Sequence, residues 1–200
     1  MKNGQSNKDS NNNSTTENNN TFPSNSNSLS IEDKYDRKII KNMSGFLADI
    51  CKGNTKDFKN ENNIHMKPFL SRNVSISIED YFERLCKYSK INSSTKILVL
   101  IYIDRLCNLY KVKLSFYNIH KLLLASMLVA SKYNEDENYF IWIYAKIGGV
   151  TKAELSNLEY HFLSLLNFNL FVTEELFNKY NDYISSADSD DDEFDYDNDD

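Results

Sequence analysis

Apolar positions recur every three or four residues along this chain rather than every second one, a spacing that predicts helices and no sheet. Ser30-Ile31-Glu32-Asp33 reads as a helix start, with an acidic side chain three positions after the cap. Behind it Ile31, Tyr35, Ile39, Met43, Leu47 and Ile50 form one face, and Gly53-Asn54 ends the segment. Residues 53–67 are polar and predict a linker up to Pro68. Ser77-Ile78-Glu79-Asp80 starts the next helix, carrying Ile78, Tyr81, Phe82, Leu85 and Tyr88, and Asn92-Ser93-Ser94 punctuates. The run Ile97–Ile103 is β-branched enough to suit a buried strand. It sits, however, in sixteen residues without Gly or Pro, Thr95–Tyr110, and that length favours a helix. Being apolar all round, this helix is expected at the centre of the fold.

Ser115 opens another almost wholly apolar helix, from about Tyr117 to Tyr133. A short one from Tyr139 to Ile147 stops at Gly148-Gly149. Thr151-Lys152-Ala153-Glu154 is a capping box for a helix reaching about Leu166, with the stripe Leu155, Leu158, Phe162 and Leu165. Thr173-Glu174-Glu175 starts a last helix, to about Tyr183. The fold class is therefore all-α: five helices, with one flanking helix on each side. Residues 1–29, rich in Asn and Ser, cannot bury enough apolar surface to offset chain entropy and are expected to be disordered. The flanking helix takes 30–52, the main helical unit 68–183, and a disordered acidic tail 184–200.

The net charge of −6 mostly reflects that tail, because residues 188–200 hold nine of the 29 acidic groups. Residues 31–187 carry 21 basic and 18 acidic groups, so the body is nearly neutral. It has no strong basic stripe, which speaks against nucleic acid as a partner. The apolar runs are too short to cross a bilayer, and the polar N-terminus lacks the apolar core of a secretory signal. Three widely spaced cysteines, Cys51, Cys86 and Cys107, without a C-x-x-C fit a reducing, intracellular compartment.

Phosphate-loop, dinucleotide-binding, nucleophile-elbow and zinc-protease motifs are all missing from the sequence. His65, His120 and His161 are isolated, and a dyad of His120 with Cys86 or Cys107 has nothing in the pattern to support it. No catalytic residue, metal ligand, cofactor or small-molecule substrate is expected. Three charges nevertheless interrupt apolar helices. Asp104 ends the central apolar run and, if buried, needs a cationic partner, for which Arg84 and Arg105 are the candidates. Lys132 closes an apolar helix, and Glu159 lies beside the stripe of the next long one. On pattern alone the simplest reading of all three is surface or rim charge.

Three segments, Tyr102–Leu106 (YIDRL), Asn118–Tyr133 (NIHKLLLASMLVASKY) and Tyr144–Leu170 (YAKIGGVTKAELSNLEYHFLSLLNFNL), resemble the cyclin box in order and spacing. With the entry Pro68–Asn92 they look most like the P-type, or U-type, cyclins of the phosphate-signalling group. The resemblance covers roughly 68–180 and implies a single cyclin box that binds and activates a cyclin-dependent protein kinase without being an enzyme itself. In cyclins generally a lysine ending the third helix and a glutamate in the fifth hold the kinase's C-helix. Lys132 in ASKY and Glu159 in LEYHFL occupy those positions, and Tyr133, Leu163, Phe168 and Leu170 match apolar positions that pack on the kinase. Asp104 matches an internal aspartate whose partner in many cyclins is an arginine of a Met-Arg-Ala-Ile-Leu helix. That helix motif is absent here, which leaves Arg84 as the partner to look for and does not carry over the substrate-docking patch built on the motif. The implied product is a heterodimer with a kinase, in cytoplasm or nucleus, with no nucleic acid, membrane or cofactor. The alternative function is a cyclin-fold scaffold or transcription-factor-like module that activates no kinase.

Overall fold

Helix starts follow the caps that the sequence carries. The computed structural model describes residues 30–55, 64–71, 74–137 and 140–186. Ser30 begins α1 (Ile31–Thr55): the Asp33 N–H donates to Ser30 Oγ at 3.0 Å and the hydroxyl donates back to Asp33 Oδ2 at 2.8 Å. Ser77 and Asp80 repeat this arrangement for α2 (Ile78–Ser89), at 3.0 and 2.7 Å. Asn92 caps α3 (Ser93–Tyr110) by accepting from the Thr95 N–H at 2.8 Å. The next helix, α4 (Ile119–Asn134), starts later than the expected Tyr117. Its Asn118 side chain turns back instead, accepting from the Ser115 N–H at 2.9 Å and donating to the Lys113 carbonyl at 3.0 Å, so residues 115–118 form a tied turn.

Helices α5 (Ile141–Gly148), α6 (Lys152–Leu165) and α7 (Glu174–Ser186) complete the order, and no strand occurs among the described residues. The Gly148-Gly149 pair serves two purposes. Gly149, at φ 73°, closes α5 with its N–H on the Ala145 carbonyl, and Gly148 lies so near Leu124 that a Cβ would collide with it. Thr151 caps α6 through the Glu154 N–H at 3.1 Å. The Glu154 carboxylate pairs with Lys121 of α4 at 2.9 Å, so half of the expected capping box has become a tertiary contact.

Two boundaries differ from the sequence reading. Within the 53–67 linker, α1 continues to Thr55 and Ile64–Phe69 forms a short 3-10 helix containing Pro68. Met66 and Phe69, three residues apart and so one 3-10 turn apart, are both buried, and the Phe69 ring meets Phe162 edge to face at 6.2 Å. Two apolar anchors in a polar stretch are too few to show as a periodic face. The acidic tail expected from 184 begins later, because α7 runs to Ser186 and buries Ile184. The expected tail over 1–29, the linker residues 56–63, Tyr139 and residues 187–200 lie outside the described residues.

Helix α3 is buried from Thr95 through Ile103, as its unbroken apolar run requires. It shares the centre with α4, buried from Ile119 to Ser131 except for Lys121, which packs on α3, α6, α2 and α5. Ser126 Oγ donates to the Val99 carbonyl at 2.9 Å and lets the two helices approach closely. The flanking helices α1 and α7 pack on each other and on α3. Tyr35 donates to Asn181 Oδ1 at 2.9 Å, Asn42 Nδ2 to the Ile184 carbonyl at 2.7 Å, and Phe46 meets Tyr183 edge to face. Of the expected inner faces, Ile39, Met43 and Leu47 are fully buried and Ile50 half-buried, whereas Ile31 and Tyr88 are exposed. Ile31 stands in a first turn that is solvated on every side.

One ion pair anchors α1. Lys96, only 2% exposed, reaches Asp36 at 2.9 Å and the Ile91 carbonyl at 2.9 Å, while Ser93 also donates to Asp36. A nearly buried ammonium keeps its charge only when it is paired. Asp36→Ala is therefore expected to lower stability by about 2–3 kcal/mol, read by urea unfolding. Lys96→Met, which removes the charge with the pairing, is expected to cost clearly less, and equal losses would contradict this reading.

His120 supplies a pH dependence. Its Nε2 lies 3.1 Å from the Ile76 carbonyl and its ring packs edge-on to Tyr81 at 5.1 Å. Burial, with a smaller contribution from the nearby Arg84 charge, pulls its pKa below the ordinary 6.5 against the opposing effect of the backbone contacts. Below that value the unfolded chain takes up a proton that the folded chain refuses, so stability falls as pH falls. The urea midpoint is expected to be lower at about pH 5.5 than at about pH 7.5, and His120→Gln to shrink that difference.

Candidate functional site

The last turn of α4 lies against the middle of α6, and there Lys132 and Glu159 meet. Lys132 Nζ is 2.5 Å from Glu159 Oε1, with the lysine side chain 45% exposed and the glutamate 15%. The pair is thus not scattered rim charge: the two interruptions of the apolar pattern form one contact. An exposed aromatic residue follows each member in sequence. Tyr133 follows the lysine and is 52% exposed, and Tyr160 follows the glutamate and is exposed as well. Leu163, one turn beyond Glu159 on α6, is half-buried.

Helix α6 ends abruptly. Asn167 and Phe168 adopt left-handed backbone at φ 51° and 55°, although neither is glycine. The Phe168 N–H returns to the Leu163 carbonyl at 2.9 Å, and the Phe168 side chain is left 63% exposed. The chain then runs without regular structure to Thr173, with Phe171 exposed and Leu170 half-buried. Lys132, Tyr133, Glu159, Leu163, Phe168 and Leu170 thus lie on three pieces of the fold, the end of α4, α6 and the strap that leaves it, with Lys132–Glu159 joining α4 to α6 and the Phe168 N–H tying the strap back to α6.

Asp104 and Arg84 are not brought together. Asp104 Oδ2 accepts from Tyr180 of α7 at 2.6 Å and from Asn108 Nδ2 at 2.8 Å. Burial raises the Tyr180 phenol pKa and the hydrogen bond to Asp104 raises it further, so the phenol remains a donor. The Arg84 guanidinium lies over the Tyr81 ring at 5.1 Å, and its Nε is buried without a hydrogen-bond partner. The aspartate is half-exposed and satisfied by neutral donors, so the buried-charge argument for an arginine does not apply to it.

Sequence reasoning did not single out Tyr160 and Phe171, two further exposed aromatics on α6 and on the strap after it. A signal existed in the phenylalanines of Phe168-Asn169-Leu170-Phe171, which follow a helix end with no further helical face to join. The Glu135 carboxylate accepts from the Asn92 N–H at 2.9 Å and from Thr95 Oγ1 at 2.5 Å, tying the end of α4 to the start of α3. The Cys86–His120 pairing has no counterpart: burial pushes the Cys86 thiol up to about 12, a packed and protonated group. Among the described residues no three His, Cys, Asp or Glu side chains gather as a metal site would require, and no helix is long and apolar enough to cross a membrane.

The sequence is similar to that of known proteins. The family model described as Cyclin matches residues 3–170. Cyclin-U2-1 of Arabidopsis thaliana is 40% identical over 106 residues, 52% of this chain and 48% of that protein. Cyclin-P2-1 of Oryza sativa subsp. japonica is 36% identical over 107 residues, 54% of this chain and 49% of that protein. A longer match, 33% identical over 174 residues, covers 79% of this chain and 71% of the PHO85 cyclin-like protein psl1 of Schizosaccharomyces pombe. The chain spans about half the length of the first two relatives. The described residues are all-helical, and a family match across most of the sequence, with a relative matched over most of its length, shows that the chain belongs to the cyclin family.

Proposed function

We propose that the chain is a non-catalytic regulatory subunit that binds a cyclin-dependent protein kinase and activates it by holding the kinase's C-helix. The name of the PHO85 cyclin-like relative points to a PHO85-type kinase as partner, and a kinase partner places the work inside the cell. The observation that carries the reading is the Lys132–Glu159 contact between α4 and α6, together with exposed Tyr133, Tyr160, Phe168 and Phe171 on α4, α6 and the strap that follows α6. Aromatic side chains around a polar centre are what a protein-binding surface needs: large area from the rings and register from the charges.

A kinase transfers phosphate only when its Lys–Glu pair and its metal-binding Asp are in place, and the position of the C-helix controls the first of these. A surface that fits only the inward position of that helix shifts the equilibrium without doing chemistry. Moving the active state from about 1% to about 99% requires about 5.5 kcal/mol of differential binding. An interface of about 2,000 Å² with a few well-packed aromatic anchors is sufficient. The Lys132–Glu159 pair suits this role because a half-exposed ion pair contributes little to folding, about 0–1 kcal/mol. Its members can therefore re-pair with groups on a partner at small cost to the fold.

Two outcomes are expected. Glu159→Lys removes a carboxylate and sets a second cation beside Lys132, so retention of a PHO85-type kinase is expected to fall below detection while the far-ultraviolet circular dichroism remains helical. Undiminished retention would falsify the site assignment. Phe168→Gly relieves a left-handed phenylalanine and is expected to raise unfolding stability by about 1 kcal/mol. The same change is expected to weaken kinase retention, because an exposed aromatic is lost. A variant that is both less stable and fully active contradicts both halves.

A further inference from the structure

Where α6 ends, the departing backbone has no helix to satisfy it, and α3 does so with side chains. Arg105 Nη1 donates to the Asn169 carbonyl at 2.5 Å and Nη2 to the Phe171 carbonyl at 3.0 Å. Between them Tyr102 donates to the Leu170 carbonyl at 2.9 Å. Three consecutive carbonyls are thus taken by two side chains one helical turn apart, and one guanidinium spans the outer two. The Arg105 guanidinium also lies 5.8 Å from the Tyr102 ring, so the two donors brace each other. Burial raises the Tyr102 phenol pKa and keeps it a donor.

This is an unusual use of an arginine. Asp104 is its neighbour in sequence, yet Asp104 is engaged by Tyr180 and Asn108, and the guanidinium faces neutral backbone. The segment it grips is the one that starts with two left-handed, non-glycine residues, Asn167 and Phe168, and that exposes Phe168 and Phe171. Such backbone persists only where its surroundings hold it. The Phe168 N–H on the Leu163 carbonyl and the Asn169 N–H on the Leu166 carbonyl hold one end, and the α3 donors hold the other.

We infer that Arg105, assisted by Tyr102, is a positioning residue for partner binding: it fixes the 167–171 strap so that Phe168 and Phe171 are already placed for docking, without touching the partner itself. The inference rests on the kinase-binding reading above and adds to it the residues that set the geometry of its face. An unclamped strap has to be ordered when the partner binds, and affinity falls by the free energy of that ordering. Lysine cannot replace the arginine, because one ammonium does not span two carbonyls separated by a third residue.

The test uses the full chain and a purified PHO85-type cyclin-dependent kinase. Arg105→Gln is compared with wild type by amide hydrogen exchange at Phe168 and Asn169 in the unbound chain and by kinase affinity. Both measurements are repeated with Phe168 and Phe171 replaced by Ala. Exchange at the two strap amides is expected to rise about tenfold while the amides within α4 keep their wild-type rates. Kinase affinity is expected to fall about tenfold, with most of that loss disappearing in the Phe168→Ala, Phe171→Ala background, since the arginine acts only through the strap. Unchanged strap exchange overturns the proposal, and so does an affinity loss fully additive with the alanine changes, which indicates direct contact. Should Arg105→Gln fail to fold, Tyr102→Phe, which keeps the ring and loses only the hydroxyl, is held to the same two readouts. A wild-type chain that binds no kinase overturns the functional reading and this role together. Normal binding by wild type and variants alike overturns this role alone.

Discussion

A helix without a polar face must be surrounded, and α3 sets this condition for the whole molecule. Its apolar run is covered by α4 along one side and by α1 and α7 along others. Within the buried run polar groups need partners inside the protein, and those at its ends also serve as junctions. Lys96 joins α3 to α1, Ser126 of α4 takes the Val99 carbonyl, Asp104 receives the α7 phenol, and Tyr102 and Arg105 take the backbone beyond α6. What looks like a stretch of hydrophobic letters with occasional polar interruptions is the place where most of the other elements are attached. The flanking helices are therefore parts of the same cooperative structure rather than additions to a finished bundle.

Much of this was legible in the sequence, and the rest was not for identifiable reasons. Helix existence followed from period and caps, since Ser30, Ser77, Asn92 and Thr151 each carry a side-chain oxygen that takes an orphan N–H. Local chemistry of that kind is encoded within four residues. The short 3-10 helix was not legible, because Met66 and Phe69 are meaningful only against α6, a partner far away in sequence. Arg84 was misjudged for a related reason. Its expected role assumed a buried Asp104, and burial is a property of the finished fold. At the candidate face periodicity marked Lys132 and Glu159 as interruptions and the resemblance gave them a role, and their 2.5 Å contact is a structural fact that neither could supply. Tyr160 was passed over because an aromatic beside an apolar stripe reads as core, whereas here it points to solvent.

Two ion pairs of the same chemistry show how environment divides structure from function. Lys96–Asp36 joins an almost inaccessible ammonium to a half-buried carboxylate, and separating them strands a charge. Lys132–Glu159 has a half-exposed ammonium, so water can take the place of the carboxylate beside the lysine with little loss. The first kind of pair belongs in a scaffold, because it resists exchange. The second suits the proposed interface, because it holds the two side chains together in the unbound chain and still lets the lysine go. The difference is exposure rather than distance, and no sequence pattern records it.

The strap after α6 carries this division into the backbone. Two successive left-handed residues cost about 1–2 kcal/mol each relative to relaxed chain, a noticeable fraction of the 5–15 kcal/mol that holds a typical domain together. Glycine at both positions would remove the strain. It would also remove the exposed phenylalanine and free the segment to sample many conformations, each of which a partner would have to restrict on binding. Retaining Asn167 and Phe168 while gripping the following carbonyls from α3 places the cost in folding, where a large cooperative core can absorb it, instead of in binding, where it would weaken a single interface. In the proposed reading the arrangement suits a surface that must already hold its shape before its partner arrives: backbone bonds to α6 hold the left-handed end of the strap, and the guanidinium, which spans two carbonyls, holds the end beyond it.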